Sequence, residues 1–423
     1  NVGHGWIEGG IMLGAHSEIY LTGMWAAALD AGAYMAGYLG LPGKEKYAAD
    51  AKKVKAIIDR DFWNPKENFF YNGKMIDGSY MPYVTVLAGV PVYMGAVTDA
   101  KKAEKVSARF NNSQFSASWG IRMVEDSCFF YDPGNYQDGT VRSLDGGLAS
   151  LAEYTTGHYR SGYQHIFNSL VQYRFWALGS IQEALNGAVF RPNGVCSNQA
   201  WSEGMVIQPA IEGMLGLKPD AMKNRLRLAP YFPWDWEFCN VSNIRMKNAS
   251  LNMDMKRNGD ITTYTFNSGK NFILDFNPVL PLNTAIDAVL VNGKKVKYAK
   301  IVKPEGMSLS FSFPVHNGQN VVEIKARGGI GVLPVFTDFK PGDSSSNLQV
   351  TAEKIEDNIY TIQTSGTPEK SYDLKIFTRQ HIDKVDGAEI TKQENNLLFL
   401  KLRMSEASGK NKYGSREIRI HFN

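Results

Sequence analysis

The sequence predicts a multidomain chain of the α plus β class. Residues 1–225 read as the C-terminal part of a barrel of helical hairpins, 226–338 as a β-sandwich-like domain and 347–423 as a small β accessory module. Three observations predict this. Apolar residues recur at helical spacing up to residue 225 and with a period of two beyond it. The helical segments come in pairs, with short connections inside a pair and long ones between pairs. At 423 residues the chain exceeds one ordinary domain.

The first helix runs from Ser17 to Leu39. Leu21, Met24, Trp25, Ala28, Leu29, Gly32, Met35, Ala36 and Leu39 have the spacing of one helix face, and Gly40 and Pro42 stop it. A second helix follows over Lys44–Arg60, with Tyr47, Ala51, Val54 and Ile58 inward. Tyr83–Met94 pairs with Ala100–Phe110, Gly147–Thr156 pairs with Arg160–Ala177, and a last helix covers Trp201–Leu215. Between them lie Asn64–Met81, Asn111–Gly146 and Leu178–Ala200, rich in Gly, Asn, Asp and aromatics. Long loops in a compact domain usually carry function, so they are expected to gather at one mouth of the barrel. These helices are too few to close such a barrel, and the first residues read like the inside of a domain. The missing N-terminal part of the same barrel is therefore an expected partner, and export cannot be read from the start of the chain.

Beyond Arg225, Leu251, Met253 and Met255 alternate with polar residues, and Asn258-Gly259 marks a hairpin before Ile261–Phe266. Asn292-Gly293 repeats the device between Val289–Val291 and Val296. Val321, Val322 and Ile324 form another strand, and the domain reaches about Pro334. Lys340-Pro341-Gly342-Asp343-Ser344-Ser345-Ser346 has the composition of a linker. Strands near Ile359–Gln363, Tyr372–Phe377, Asn396–Arg403 and Arg416–Phe422 form the last module.

Composition excludes several partners. The net charge of +4 arises from 46 basic and 42 acidic residues, with no basic tract interleaved with aromatics, so nucleic acid is not expected. No apolar run is long enough to span a membrane. Cys128, Cys196 and Cys239 are far apart and give neither zinc spacing nor a disulfide framework. Aromatics make up 12% of the chain, which suits sugar faces and large cores equally.

Two stretches can carry chemistry. In His4-Gly5-Trp6-Ile7-Glu8-Gly9-Gly10, glycines let a loop present a carboxyl beside an indole; partial desolvation there would raise its pKa, as a general acid needs. The bland alternative is a surface Glu beside a packed Trp. In the second stretch, Glu183 leaves a helix end into a Gly/Asn-rich loop that returns through Gln199 and Trp201. There Glu183 would hold a water opposite Glu8, or else it caps structure while Trp201 fills core. Trp119 and Trp176 are either sugar platforms or core. Glu18 either orients Glu8, binds a hydroxyl or answers the charge of a helix start.

Together the stretches resemble a known family. Trp6-Ile7-Glu8-Gly9, then Glu18 and Trp25, looks like the Trp-x-acid stretch of glycogen-debranching glucosidases. Glu183-Ala184-Leu185-Asn186-Gly187 with Pro192, Gly194-Val195-Cys196 and Gln199-Ala200-Trp201-Ser202 looks like their closing motif. The resemblance covers Gly3 to Leu217 and points to the six-hairpin glycosidase clan, nearest its amylo-α-1,6-glucosidase-like members. It implies Glu8 as general acid and Glu183 as general base of an inverting glycoside hydrolase, with His4, Trp6, Glu18, Trp119, Tyr136, Arg142, Trp176, Gln199 and Trp201 as substrate contacts. The expected partner is an oligo- or polysaccharide cut at a terminal or branch bond, with no metal or cofactor. One departure stands out: where relatives have Tyr-His-x-Gly-x-Val-Trp-Pro, this chain reads Tyr136-Gln137-Asp138-Gly139-Thr140-Val141-Arg142-Ser143. Arg142 and Gln137 there point to a more polar or anionic substrate or to lost activity. A carbohydrate-binding scaffold and a polysaccharide lyase using Tyr136 and Arg142 are the rival readings.

Overall fold

A computed structural model describes residues 5–10, 12–176, 179–408 and 412–422. Its first half is mainly helical and its second half is built of sheets, with the change of character at the strand Lys218–Asp220, a few residues before the expected position near Arg225. The helices are α1 (Ile19–Leu39), α2 (Lys44–Asp61), α3 (Gly89–Tyr93), α4 (Ala100–Phe110), α5 (Ser143–Thr156), α6 (Tyr159–Leu170) and α7 (Ala200–Gln208). Their ends follow local chemistry. Gly40 closes α1 in the left-handed region (φ 66°), and Gly157 closes α5 likewise (φ 93°). Asp99 caps α4 by accepting from the backbone N–H groups of Lys101 and Lys102.

Three of the expected helices are shorter or more broken than their periodicity implied. The Tyr83–Met94 stretch forms only a 3₁₀ turn at Val86–Ala88 and the five residues of α3, with Pro91 inside it. Helix α6 tightens into a 3₁₀ turn over Val171–Arg174, and α7 widens into a π-turn at Pro209–Met214.

The buried face of α1 also differs from the expected one. Ile19, Tyr20, Gly23, Ala26 and Leu29 are buried, whereas Met24, Trp25, Met35 and Leu39 stand 41–62% exposed. The helix is apolar nearly all round, so periodicity alone could not choose its inner face. Helix α5 is the opposite case. Almost every residue of it is buried, and it packs on α3, α4, α6 and α7. Gly147 permits this, because a Cβ there would lie 2.3 Å from the carbonyl oxygen of Met205 on α7.

The sheets continue across the stretch expected as a linker. A nine-stranded sheet runs through Phe238–Met246, Ala249–Asn258, Ile261–Ser268, Gly318–Val332, Ser371–Thr378, Leu397–Arg403 and Glu389–Glu394, with Leu282–Val291 and Lys294–Lys295 branching from it. Its hub is the fifteen-residue strand Gly318–Val332. The first half of that strand pairs with Ile261–Ser268 and its last three residues with Ser371–Thr378. The strand turns at Gly328 (φ 68°) and Gly329 (φ 96°), a conformation in which a Cβ on Gly329 would meet Thr284 at 2.7 Å. A six-stranded sheet containing Phe272–Phe276 and Gly306–Val315 faces one half of the hub, and a four-stranded sheet containing Ile359–Gly366 and Gly414–Phe422 faces the other.

Lys340–Ser346, expected as a linker, is held against the helical half. Phe190 donates its N–H to Asp343 O (2.8 Å), Gly342 donates to Phe190 O (2.9 Å), and Ser346 donates to Ser118 Oγ (3.2 Å). Phe339 beside it packs on Phe190 with ring centroids 4.6 Å apart. Its small, polar residues suit close backbone pairing as well as they suit a flexible tether.

The helical half is also joined to the sheets through a buried ion network. Arg160 on α6 reaches Glu305 (2.8 Å) and Glu353 (2.9 Å), all three side chains being nearly inaccessible. Burial opposes charge on Glu305, but Arg160, His158 and Ser161 outweigh it and hold the carboxyl down to about 2. Burial pushes Glu353 up instead, despite Arg160.

Candidate active site

The carboxylate loop of Glu183 is fixed by irregular backbone pairing. Val141 and Leu185 exchange N–H···O bonds (2.9 and 2.8 Å), Glu183 donates its N–H to Cys196 O (2.9 Å), and Asn193 donates to Ala184 O (3.0 Å). Arg122 is buried and donates from Nε to Gly187 O at 2.7 Å. Gly187 lies so close to the neighbouring turn that a Cβ would fall 2.0 Å from Gly139 O. The motif glycine is thus required by close approach of two loops.

The N-terminal loop is tied to the same structure. Trp6 donates its N–H to the Tyr20 hydroxyl (2.8 Å), its ring lies 4.3 Å from that of Tyr20, and its carbonyl accepts from Gln137 Nε2 (3.2 Å). Gly10 has φ 74°, and a Cβ there would meet Asp138 at 2.7 Å. Gln137 therefore serves a structural purpose by holding the Trp6 loop.

These ties bring the two stretches to one pocket of about 200 Å³. Trp6, Glu8, Tyr136, Arg142, Leu144, Glu183, Gln199 and Trp201 line it. Glu8 and Glu183, 175 positions apart in sequence, thus share one recess. Trp201 is 55% exposed, an indole face open to a ligand. Gln199 caps α7 and accepts from Ser202 Oγ at 3.1 Å. Leu144, on the first turn of α5, joins the wall without having been singled out; nothing in its sequence surroundings marks it.

Tyr136 donates its hydroxyl to Glu183 Oε1. Burial pushes the Tyr136 phenol up, the bond to Glu183 adds to this, and Arg142 opposes it, so the ring remains a donor. The guanidinium of Arg142 lies over that ring at 5.2 Å from its centroid. Arg142 is not a free cation: its Nε and Nη2 hold Asp145 at 2.8 and 3.2 Å, and both side chains are buried. The pair sits at i and i+3 on the start of α5, a spacing visible in the sequence.

Other expected site residues fall elsewhere. Trp119 is fully buried and donates Nε1–H to Asn186 O at 3.0 Å, bracing the Glu183 loop from below. Trp176 packs on Phe190, ring centroids 4.8 Å apart, outside the pocket lining. Trp119 belongs to a small apolar layer within the loops, and Trp176, half-buried, packs against it. His4 lies outside the described residues. Glu8 is exposed, whereas Glu18 is buried. Burial raises Glu18 to about 7 against a lowering bond from Tyr20, the residue that also holds the Trp6 backbone.

Paired carboxyls flanked by indoles form an arrangement suited to cleaving glycosidic bonds. Residues 15–141 match the model of the mannosylglycerate hydrolase MGH1-like glycoside hydrolase domain. Both Glu8 and Glu183 lie outside the matched stretch. No curated protein matches the chain. Among solved structures, a sialidase superposes with a TM-score of 0.53 at 14% identity, over 74% of this chain and 27% of its own. The GH63 mannosylglycerate hydrolase from Thermus thermophilus in complex with glucose gives 0.37 at 12% identity, over 45% of this chain and 46% of its own. The alpha-L-rhamnosidase from Dictyoglumus thermophilum gives 0.44 at 10% identity, over 72% and 31%. The first likeness bears on the fold alone, and the other two are too loose to bear on it. The chain spans about a quarter of the sialidase's length.

Proposed function

We propose that this chain hydrolyses a terminal or branch glycosidic bond in an oligo- or polysaccharide with inversion at the anomeric carbon, in the manner of an α-glucosidase. The observation that carries the reading is the convergence of Glu8 and Glu183 on one pocket walled by Trp6 and Trp201. In this mechanism Glu8 gives a proton to the departing glycosidic oxygen. Glu183 takes a proton from a water on the opposite face of the sugar, and the water oxygen bonds to the anomeric carbon as the old bond breaks. Tyr136 fixes Glu183 Oε1, which directs the other oxygen toward that water. The indoles stack on the apolar face of the ring and Gln199 takes a hydroxyl. With its charge committed to Asp145, Arg142 supports the Tyr136 ring better than it serves a uronate, which favours hydrolysis over a lyase reaction.

The test is hydrolysis of α-linked gluco-oligosaccharides by the full chain, with the anomer of the first product read by NMR. Glu8→Gln is expected to lose natural substrates and keep those with activated leaving groups. Glu183→Gln is expected to lose both. Full activity of Glu183→Gln, or an ultraviolet-absorbing unsaturated product, overturns the reading.

A further inference from the structure

A second recess, of about 280 Å³, opens between the end of the helical half and the six-stranded sheet, and shares no lining residue with the carboxylate pocket. Three cations line it: Lys218 and Arg227, which face each other across adjacent strands, and Lys303 from the strand Ala299–Lys303 farther across the same sheet. Among the described residues none of the three has an ion-pair partner. Arg225, two residues along the same strand from Arg227, takes Asp275. The one acid in the lining, Glu212, has both oxygens occupied by neutral donors, the Tyr93 hydroxyl (2.6 Å) and Gln208 Nε2 (3.0 Å). Burial and the adjacent Arg227 both push the Lys218 ammonium down, as uncompensated neighbouring cations do.

Aromatic hydroxyls complete the wall. Tyr154 and Tyr159 are each more than nine-tenths buried and line the recess, and the Tyr154 hydroxyl has no hydrogen-bond partner among the described residues. A buried unpaired hydroxyl costs free energy that a ligand acceptor would recover. Asn277 and Ser308 add smaller polar groups.

We infer that this recess binds an acidic sugar of the uronic-acid class. Its carboxylate is taken by Lys218, Arg227 and Lys303, and its ring hydroxyls meet Tyr154, Tyr159 and Glu212. The excess of donors over acceptors selects an anion. Glu212 and the ring faces select a hydroxylated, partly apolar anion over a bare dianion, because a carboxylate in the wall repels phosphate and accepts from sugar hydroxyls. The choice of a sugar draws on the glycosidase reading; the choice of an anion does not.

The experiment is calorimetric titration of the full chain with glucuronate, with glucose and inorganic phosphate as comparisons. One saturable glucuronate site is expected, weakened roughly tenfold in Arg227→Gln and in Lys303→Gln and weakened by added salt. Glucuronate affinity is expected to be unchanged in Glu183→Gln, so a failure of the hydrolytic reading leaves this one standing. Because neither Arg227 nor Lys218 holds an ion pair among the described residues, loss of fold is not expected at either, and Lys218→Gln repeats the measurement independently. Absence of glucuronate binding, equal affinity in all the recess variants, or phosphate binding as tight as glucuronate overturns the inference.

Discussion

Replacing Arg160 by Met tests how the helical half is joined to the sheets. The guanidinium donates to Glu305 at 2.8 Å, to Glu353 at 2.9 Å and to Val350 O at 3.1 Å, with every partner buried. Met conserves much of the volume and removes the charge, leaving two buried carboxyls without their shared cation. Breaking a buried pair from one side costs about 3–5 kcal/mol. With a urea slope of about 3 kcal/mol per molar, the unfolding midpoint should fall by about 1–1.7 M. Acidification should relieve the deficit. Glu353 is already pushed up by burial, and without Arg160 it rises further. A carboxyl whose folded pKa lies above its unfolded value stabilises the fold at low pH and loses that contribution as pH rises through the folded pKa. Urea unfolding followed by tryptophan fluorescence at pH 7 and pH 5 measures both effects. A loss below about 1 kcal/mol, or one that grows at pH 5, would refute the reasoning.

Tyr136→Phe removes the bond to Glu183, and a hydrogen bond to a charged group is worth about 1.5–3 kcal/mol; kcat on gluco-oligosaccharides should fall roughly ten- to hundredfold with KM little changed, and a loss confined to KM would count against positioning. His158 lies between Glu104 (3.6 Å) and Glu305 (3.7 Å); burial pulls its pKa down, but the two acids outweigh this and raise it to about 9. Its contribution, about 3 kcal/mol, is therefore whole below pH about 6.5 and gone above about 9. The stability gap between wild type and His158→Gln should close over that window, as denaturation midpoints from pH 6 to 9.5 will show. Gly187→Ala drives a Cβ into Gly139 O and should cost about 1–3 kcal/mol and displace the Glu183 loop; thermal unfolding and residual activity report the two effects separately.

Much of this architecture was legible in sequence because period and punctuation are local properties. The change from helices to strands, expected near residue 225 and observed from Lys218, the α4 bounds and the Gly40 stop all follow from residues close to the feature. The pocket was legible for another reason: Trp6, Glu8, Glu183, Gln199 and Trp201 sit in two compact motifs, each of which arrives at the pocket as a unit. What could not be read depends on residues far apart. Trp119 looks like a platform until Phe190 and Phe339 are seen to bury it, and Trp176 until it is seen packed on Phe190. Arg160, Glu305 and Glu353 are ordinary surface residues by sequence and become a buried network only through the meeting of α6 with two sheets. The α1 face failed for lack of contrast: with apolar residues all round, its pattern carries no preferred direction.

The strand Gly318–Val332 makes the second half of this chain hard to divide. A cut in the Lys340–Ser346 stretch, where composition invites one, severs no continuous strand, yet it separates Ser371–Thr378 from its hydrogen-bonded neighbour Ile330–Val332. Each fragment would then present an unpaired strand edge, one of them carrying Leu374 and Ile376, the kind of edge on which chains aggregate. A cut before Gly342 would also take from the helical half the backbone pairing of Gly342 and Asp343 with Phe190. For anyone trimming this protein for expression or grafting its pocket onto another scaffold, the smallest portable piece of the sheet half extends to the last strand, Gly414–Phe422, and not to the end of the first sandwich.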